Sequence, residues 1–175
     1  DLQGNVLNQL TISSTDLEGI TFSANCDTFY VVEETKQLVT KYLSNGTKLY
    51  SFPVNVATNI KNSLEGITID NENNLYVMNE NTPKRLMKFV NNNLVWQIDL
   101  SYTTDLSDIC YDSELDCFWI VSDESAKVVK MSKTGGFIKE WTLPFNKAEG
   151  IAFVGNKMYI TNDGNGYMYI FNKPQ

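Results

Sequence analysis

Histidine is absent from the 175-residue chain. Without it there is no Ser-His-acid triad and no imidazole general base, and no GxSxG elbow or phosphate-cradling glycine loop compensates. On this ground enzyme chemistry is set aside as the less expected reading. The same absence, with only three scattered cysteines, leaves no ligand set for zinc. Proline is sparse at four residues, and no apolar run approaches the ~18 residues of a membrane-crossing helix. No 12-residue window has helical periodicity, so an all-β protein is expected. Positive charge is also scarce. The net charge of −7 disfavours nucleic acid and anionic membrane surfaces, because phosphate binding needs clustered Lys and Arg. Proteins or small cationic or neutral ligands fit better as partners. The chain starts at Asp1 with no signal-like segment, which a processed secreted protein and a trimmed chain would share.

What is present is a repeat. Asp16-Leu17-Glu18-Gly19-Ile20-Thr21-Phe22 leads into Phe29-Tyr30-Val31-Val32, and the phrase returns at Leu64-Glu65-Gly66-Ile67, Leu106-Ser107-Asp108-Ile109 and Ala148-Glu149-Gly150-Ile151. From Glu18 to Glu65, Ser107 and Glu149 the spacings are 47, 42 and 42 residues, a period of propellers and solenoids. Each unit breaks into runs of 5–8 residues bounded by Asn, Gly and Asp turns, the signature of short antiparallel strands. The units cover about 14–53, 61–99, 103–143 and 145–172, forming one domain. The last unit lacks an outer strand, and residues 5–13 resemble a surplus one. A small β-propeller of four blades of four antiparallel strands, closed by this N-terminal strand, is therefore expected. A longer propeller, half-rings completed in a homo-oligomer and a non-propeller β fold are the alternatives. Cys110 and Cys117 face each other across a predicted hairpin, either as a disulfide or as two core thiols.

Inner strands of a propeller line its channel, so Glu18, Glu65 and Glu149, with Asp108 beside Ser107, are expected at one mouth. A second set, Glu34, Glu80, Asp123 and Asp163, follows the next strand, with Asn79 and Asn162 among its neighbours. Adjacent antiparallel strands bring both sets to the same end. Oxygen donors of this kind suit Ca²⁺. The expected metal residues are Glu18, Glu65, Glu149, Asp108, Asn79, Asp123, Asn162 and Asp163. A purely bracing role for the Glu-Gly units is the alternative. In either case Gly19, Gly66 and Gly150 permit close approach of neighbouring backbone.

The Asp-Leu-Glu-Gly-Ile start, the Leu-Tyr-Val-Met-Asn-Glu strand end and the Asp105–Ile109 and Phe118–Asp123 unit resemble the SdiA-regulated (YjiK-like) β-propeller family. They are more distantly similar to NHL-repeat and calcium-dependent, gluconolactonase-like lactonase propellers. The resemblance implies an envelope-associated or secreted propeller, often carrying calcium and mostly without a defined activity. By similarity to the lactonases, Glu18 or Glu65, Asn79 or Asn162, and Asp123 or Asp163 would hold a catalytic metal. Those families usually have six units, so the narrower ring expected here implies an extracytoplasmic binding or structural module around a cation. A metal-dependent lactonase-like hydrolase or lyase is the first alternative, and a self-assembling structural subunit the second.

Overall fold

The computed structural model describes every residue except Leu2, Thr15, Ala57, Thr58, Asn59 and Gln175. Blade 1 comprises β1 (Leu17–Phe22), β2 (Thr28–Glu33), β3 (Leu38–Leu43) and β4 (Lys48–Pro53). Blade 2 comprises β5 (Leu64–Ile69), β6 (Leu75–Asn79), β7 (Arg85–Val90) and β8 (Asn93–Asp99). Blade 3 comprises β9 (Asp108–Asp112), β10 (Cys117–Ser122), β11 (Lys127–Ser132) and β12 (Phe137–Thr142), and blade 4 comprises β13 (Ala148–Val154), β14 (Lys157–Asn162) and β15 (Tyr167–Asn172). All neighbouring strands pair antiparallel in chain order. Strand runs of five to seven residues follow from the turn chemistry: Asp70, for example, accepts the amides of Glu72 and Asn74 at 3.0 and 2.9 Å and closes the β5–β6 turn.

The core lies between the blades. One face of blade 1 (Tyr30, Val32, Val39, Phe52) packs on Leu64, Ile67, Val77, Met87 and Phe89 of blade 2. The opposite face of blade 2 (Tyr76, Met78, Leu86) meets Ile109, Phe118, Ile120 and Met131 of blade 3. Blade 3 in turn sets Trp119, Val121 and Val128 against Ile151, Met158 and Ile160 of blade 4. Full burial of one such side chain contributes roughly 1.5–3 kcal/mol, so each junction is held by several residues of this worth. Two lysines brace the junctions from outside. Lys133 of blade 3 reaches Asp70 of blade 2 at 3.3 Å, and Lys173, after blade 4, reaches Asp112 of blade 3 at 2.6 Å.

Closure by the N-terminal strand is not found. The four sheets are separate and none is closed, residues 5–13 form no strand, and blade 4 has three strands. Instead of crossing to β15, the segment stays with blade 1, where Ile12 packs on Phe29, Val31 and Tyr42. Val6 and Leu7 remain 83% and 78% exposed. The physical reason is competition for one short run: Ile12 covers the outward face of blade 1, which no other blade covers. The facing of Cys110 and Cys117 is also corrected. Cys110 pairs with Trp119 and Cys117 with Asp112, so the register sets the two thiols apart and both are free.

Candidate metal centre

The repeated Glu-Gly step is a β-bulge. In blade 1 the register moves from Leu17↔Glu33 to Ile20↔Val31, in blade 2 from Leu64↔Asn79 to Ile67↔Val77, and in blade 4 from Ala148↔Asn162 to Gly150↔Thr161. Each leaves one extra residue on the inner strand, which re-aims a side chain at the end of the sheet. The glycine beside it lets the next inner strand come close. A Cβ on Gly19 would run into the Glu65 carbonyl and lie 2.9 Å from the Ile67 amide nitrogen, and one on Gly66 would lie 2.9 Å from the Asp108 Cα. Blade 3 has Asp108 at this place, and its strand register is unbroken.

The second acidic set reaches the same end because the residue after the second strand is tied to the residue before the first. Glu34 donates its amide to Asp16 (3.1 Å), Glu80 to Ser63 (2.7 Å) and Asp163 to Lys147 (3.0 Å). The result is a cleft of about 1050 Å³ lined by Glu18, Glu34, Glu65, Glu80, Asp105, Asp108, Asp123, Glu149 and Asp163, with Lys61 and Lys147.

The two sides of this cleft differ. On the side of blades 1 and 2, oxygens of Asp16, Glu18 and Glu34 lie within 4.8 Å of one another, and so do those of Glu34, Glu65 and Glu80. Glu34 belongs to both groups. Two ligands on opposite sides of a Ca²⁺ ion at ~2.4 Å are separated by about this distance. Burial, then the charges of Glu18, Glu80 and Glu34, push the Glu65 carboxyl up to about 9. Glu18 is raised by burial and by Glu34 and Asp16. Glu80 is raised by burial against an Asn62 hydrogen bond. Asp16 goes the other way, held low by hydrogen bonds from Thr35, whose amide donates to it at 2.8 Å. Ser63 donates its amide to Glu34 at 3.0 Å and keeps its hydroxyl buried without a protein partner. Oxygen donors only, mutually repelling, with a buried hydroxyl beside them, fit a hard divalent cation.

On the side of blades 3 and 4 the carboxylates are met from within the protein. Asp123 accepts the amide and the ammonium of Lys147, each at 2.6 Å. Asp105 accepts the Ser122 hydroxyl and the amides of Asp123 and Glu124. Asp108 spans the junction, taking the Ile151 amide at 2.9 Å, and burial raises it to about 7 against that bond. Glu149 is raised by burial and by Asp123, and Asp163 lies exposed on the rim. Asn79 and Asn162 serve loops: Asn79 donates to the Asn81 and Pro83 carbonyls, and Asn162 donates to that of Asn146. Of the eight metal residues expected from sequence, only Glu18 and Glu65 fall within the two carboxylate groups.

Asp16 and Ser63 were not among the expected site residues. Their signal was the column two residues before each Glu-Gly or Ser-Asp step, which reads Asp16, Ser63, Asp105 and Lys147. Within that column Asp16 adds a carboxylate on blade 1 and Lys147 a cation on blade 4.

Residues 94–174 match the SdiA-regulated family model. The matched stretch runs from β8 of blade 2 through blade 4. No curated protein matches the chain in sequence. Among solved structures, a catalytically inactive virginiamycin B lyase from Staphylococcus aureus, with quinupristin, superposes with a TM-score of 0.59 at 16% identity, over 91% of this chain and 56% of the lyase. Hydrazine synthase of Kuenenia stuttgartiensis gives 0.65 at 12% identity, over 97% and 49%, and a nidogen–laminin complex chain gives 0.65 at 14%, over 91% and 60%. The chain thus spans about half to three-fifths of the length of the structures it matches. The expectation against enzyme chemistry is corrected: the fold is one that a lyase also has, and the clustered carboxylates are groups that could hold a metal ion, so the lack of histidine does not decide the matter. Among the described residues no helix is long and apolar enough to cross a membrane.

Proposed function

We propose that the mouth formed by blades 1 and 2 is a calcium site serving a metal-dependent hydrolase or lyase reaction on a small molecule in the cleft. The observation that carries this reading is Glu34, whose carboxylate is shared by two groups of three. Asp16, Glu18 and Glu34 would be the ligands, because Thr35 keeps Asp16 ionised and Glu34 is anchored by Ser63. The ion, when bound, supplies Lewis-acid polarisation of a substrate oxygen. The chain's own residues supply the rest. Burial is the first cause that raises the Glu65 carboxyl in the ion-free protein, and Glu65 would be the donor to a leaving oxygen, in the role a raised carboxylic acid commonly fills. Glu149, on blade 4 of the same cleft, is the proton acceptor. The lyase among the structural relatives supports the reaction class, and its variant with a histidine replaced is described as inactive. This chain has no histidine, so in this reading the acid and base roles are given to carboxyls. A location outside the cytoplasm accords with a calcium requirement.

The test is a panel of lactones and cyclic esters assayed with calcium and with chelator. Calcium-dependent turnover that Glu65→Gln abolishes while calcium binding persists supports the reading. Turnover indifferent to chelator and to Glu65→Gln contradicts it.

A further inference from the structure

The third residue after each of the outer strands β4, β8 and β12 is Val56, Tyr102 or Phe145. The three places match, because the amides of Val54, Leu100 and Leu143, two residues earlier, donate to the carbonyls of Gln37, Lys84 and Ala126 at 2.8, 2.8 and 2.7 Å. Tyr102 packs on the blade 2–3 core, with its ring 5.4 Å from that of Phe137 and its hydroxyl donating to the Gly135 carbonyl. Phe145 does the same between blades 3 and 4, stacking on Tyr169 at 4.0 Å with Phe171 at 6.3 Å. Val56 packs on the blade 1–2 core but brings no ring. A cavity of about 280 Å³ lies there instead, lined by Val54, Val56, Met87, Phe89 and Leu94. Strand register places Leu94 where blade 3 has Phe137, and Met87 and Phe89 where blade 4 has Tyr169 and Phe171. The positions that touch an aromatic ring at the other two junctions are thus the ones that line this cavity. It shares no lining residue with the acidic cleft.

We propose that this cavity binds a small neutral aromatic molecule, whose ring takes the place that Tyr102 and Phe145 hold at the neighbouring junctions. The size is sufficient, since a cavity of about 150 Å³ lined by Leu, Ile and Phe holds benzene. The walls favour an aromatic over an aliphatic ligand. The Phe89 ring accepts a tilted or offset partner ring, and the Met87 thioether makes favourable contacts at a ring edge. Both side chains are buried in the blade 1–2 junction, so the site is built before the ligand arrives. Val56 is fixed as well, its amide donating to Gln37 Oε1 at 3.0 Å. A charge on the ligand is not called for. Arg85, at the edge of the cavity, is already paired with Asp99 through Nε at 2.5 Å and Nη2 at 3.1 Å. Gln97 beside it offers an amide to a hydroxyl on the ring.

The probes are p-cresol and toluene, the side chains of tyrosine and phenylalanine as free molecules, titrated into the 175-residue chain and followed by amide and methyl NMR. Saturable shifts are expected at Val54, Val56, Met87 and Leu94, and none at Glu18 or Glu65. Cyclohexanol, of similar size without a π face, is expected to bind about fivefold more weakly. Val56→Tyr supplies the ring from the chain itself, and is expected to abolish p-cresol binding and raise the melting temperature by about 2–4 °C. Should that variant not fold, Leu94→Ala, at a position 49% exposed, is expected to weaken p-cresol binding about fivefold. No saturable shift with either probe, shifts confined to the acidic cleft, cyclohexanol binding as tightly as p-cresol, or p-cresol binding unchanged by these substitutions would overturn the proposal.

Discussion

Strands β1 and β5 carry nearly the same six residues, Leu-Glu-Gly-Ile-Thr followed by Phe or Ile, in opposite surroundings. Leu64 and Ile67 are 0% and 1% exposed, while Leu17 and Ile20 are 39% and 54% exposed. Both strands have the bulge, and both aim a glutamate at the mouth. Local conformation therefore travels with the repeat, but burial depends on whether another blade stands alongside. The chemistry follows burial: Glu65, deeper and surrounded by carboxylates, is raised to about 9, while Glu18 on the open strand is raised less far.

The largest break in this pairing is expected from truncation of the matched isoleucines. Ile67→Ala should lower the urea unfolding free energy by about 2–5 kcal/mol through lost burial and a cavity. Ile20→Ala in the single chain should change it by no more than about 0.5 kcal/mol, as surface substitutions do. Equal losses would mean that β1 is as covered as β5.

The matched glutamates sharpen the comparison through pH. The folded Glu65 carboxyl is raised above its ordinary value of 4.5, so the unfolded chain ionises first. Its contribution to stability is therefore full below about pH 4.5, declines as pH rises towards 9 and is lost above that. One proton bounds the slope at about 1.4 kcal/mol per pH unit. In chelator, Glu65→Gln should remove most of the loss between pH 6 and 9, followed by thermal melts, and Glu18→Gln less of it. A larger rescue by Glu18→Gln would reverse the assignment of depth.

Much of the fold was legible in the sequence because strand, turn and repeat are local. Among the described residues fifteen strands fall inside the four units read from the repeat, as at Arg85–Val90 and Lys127–Ser132. Closure was not legible. Residues 5–13 have the composition of an outer strand, but pairing with β15 is a long-range choice, and packing of Ile12 on blade 1 wins it. The facing of Cys110 and Cys117 failed for a similar reason, since a turn of four residues sets the register and puts Trp119 opposite Cys110. At the site, the Glu-Gly phase correctly brought Glu18, Glu65 and Glu149 to one cleft with the second acidic set. What the phase hid was neutralisation. Lys147 precedes Glu149 by two residues and takes Asp123, while Asp16 stands in the same column and adds negative charge on the other side. Counting the lack of histidine against acid–base chemistry gave too little weight to what burial does to a carboxyl.

The two sides of the mouth can be told apart in one experiment. Calcium is titrated calorimetrically into chelator-stripped protein, and the wild type is compared with Glu34→Gln on the blade 1–2 side and Asp123→Asn on the blade 3–4 side. The expected result is saturable binding, lost in Glu34→Gln and kept in Asp123→Asn, because Asp123 already has Lys147. Absence of binding in the wild type, or binding that survives Glu34→Gln and disappears with Asp123→Asn, would contradict a cation site centred on Glu34.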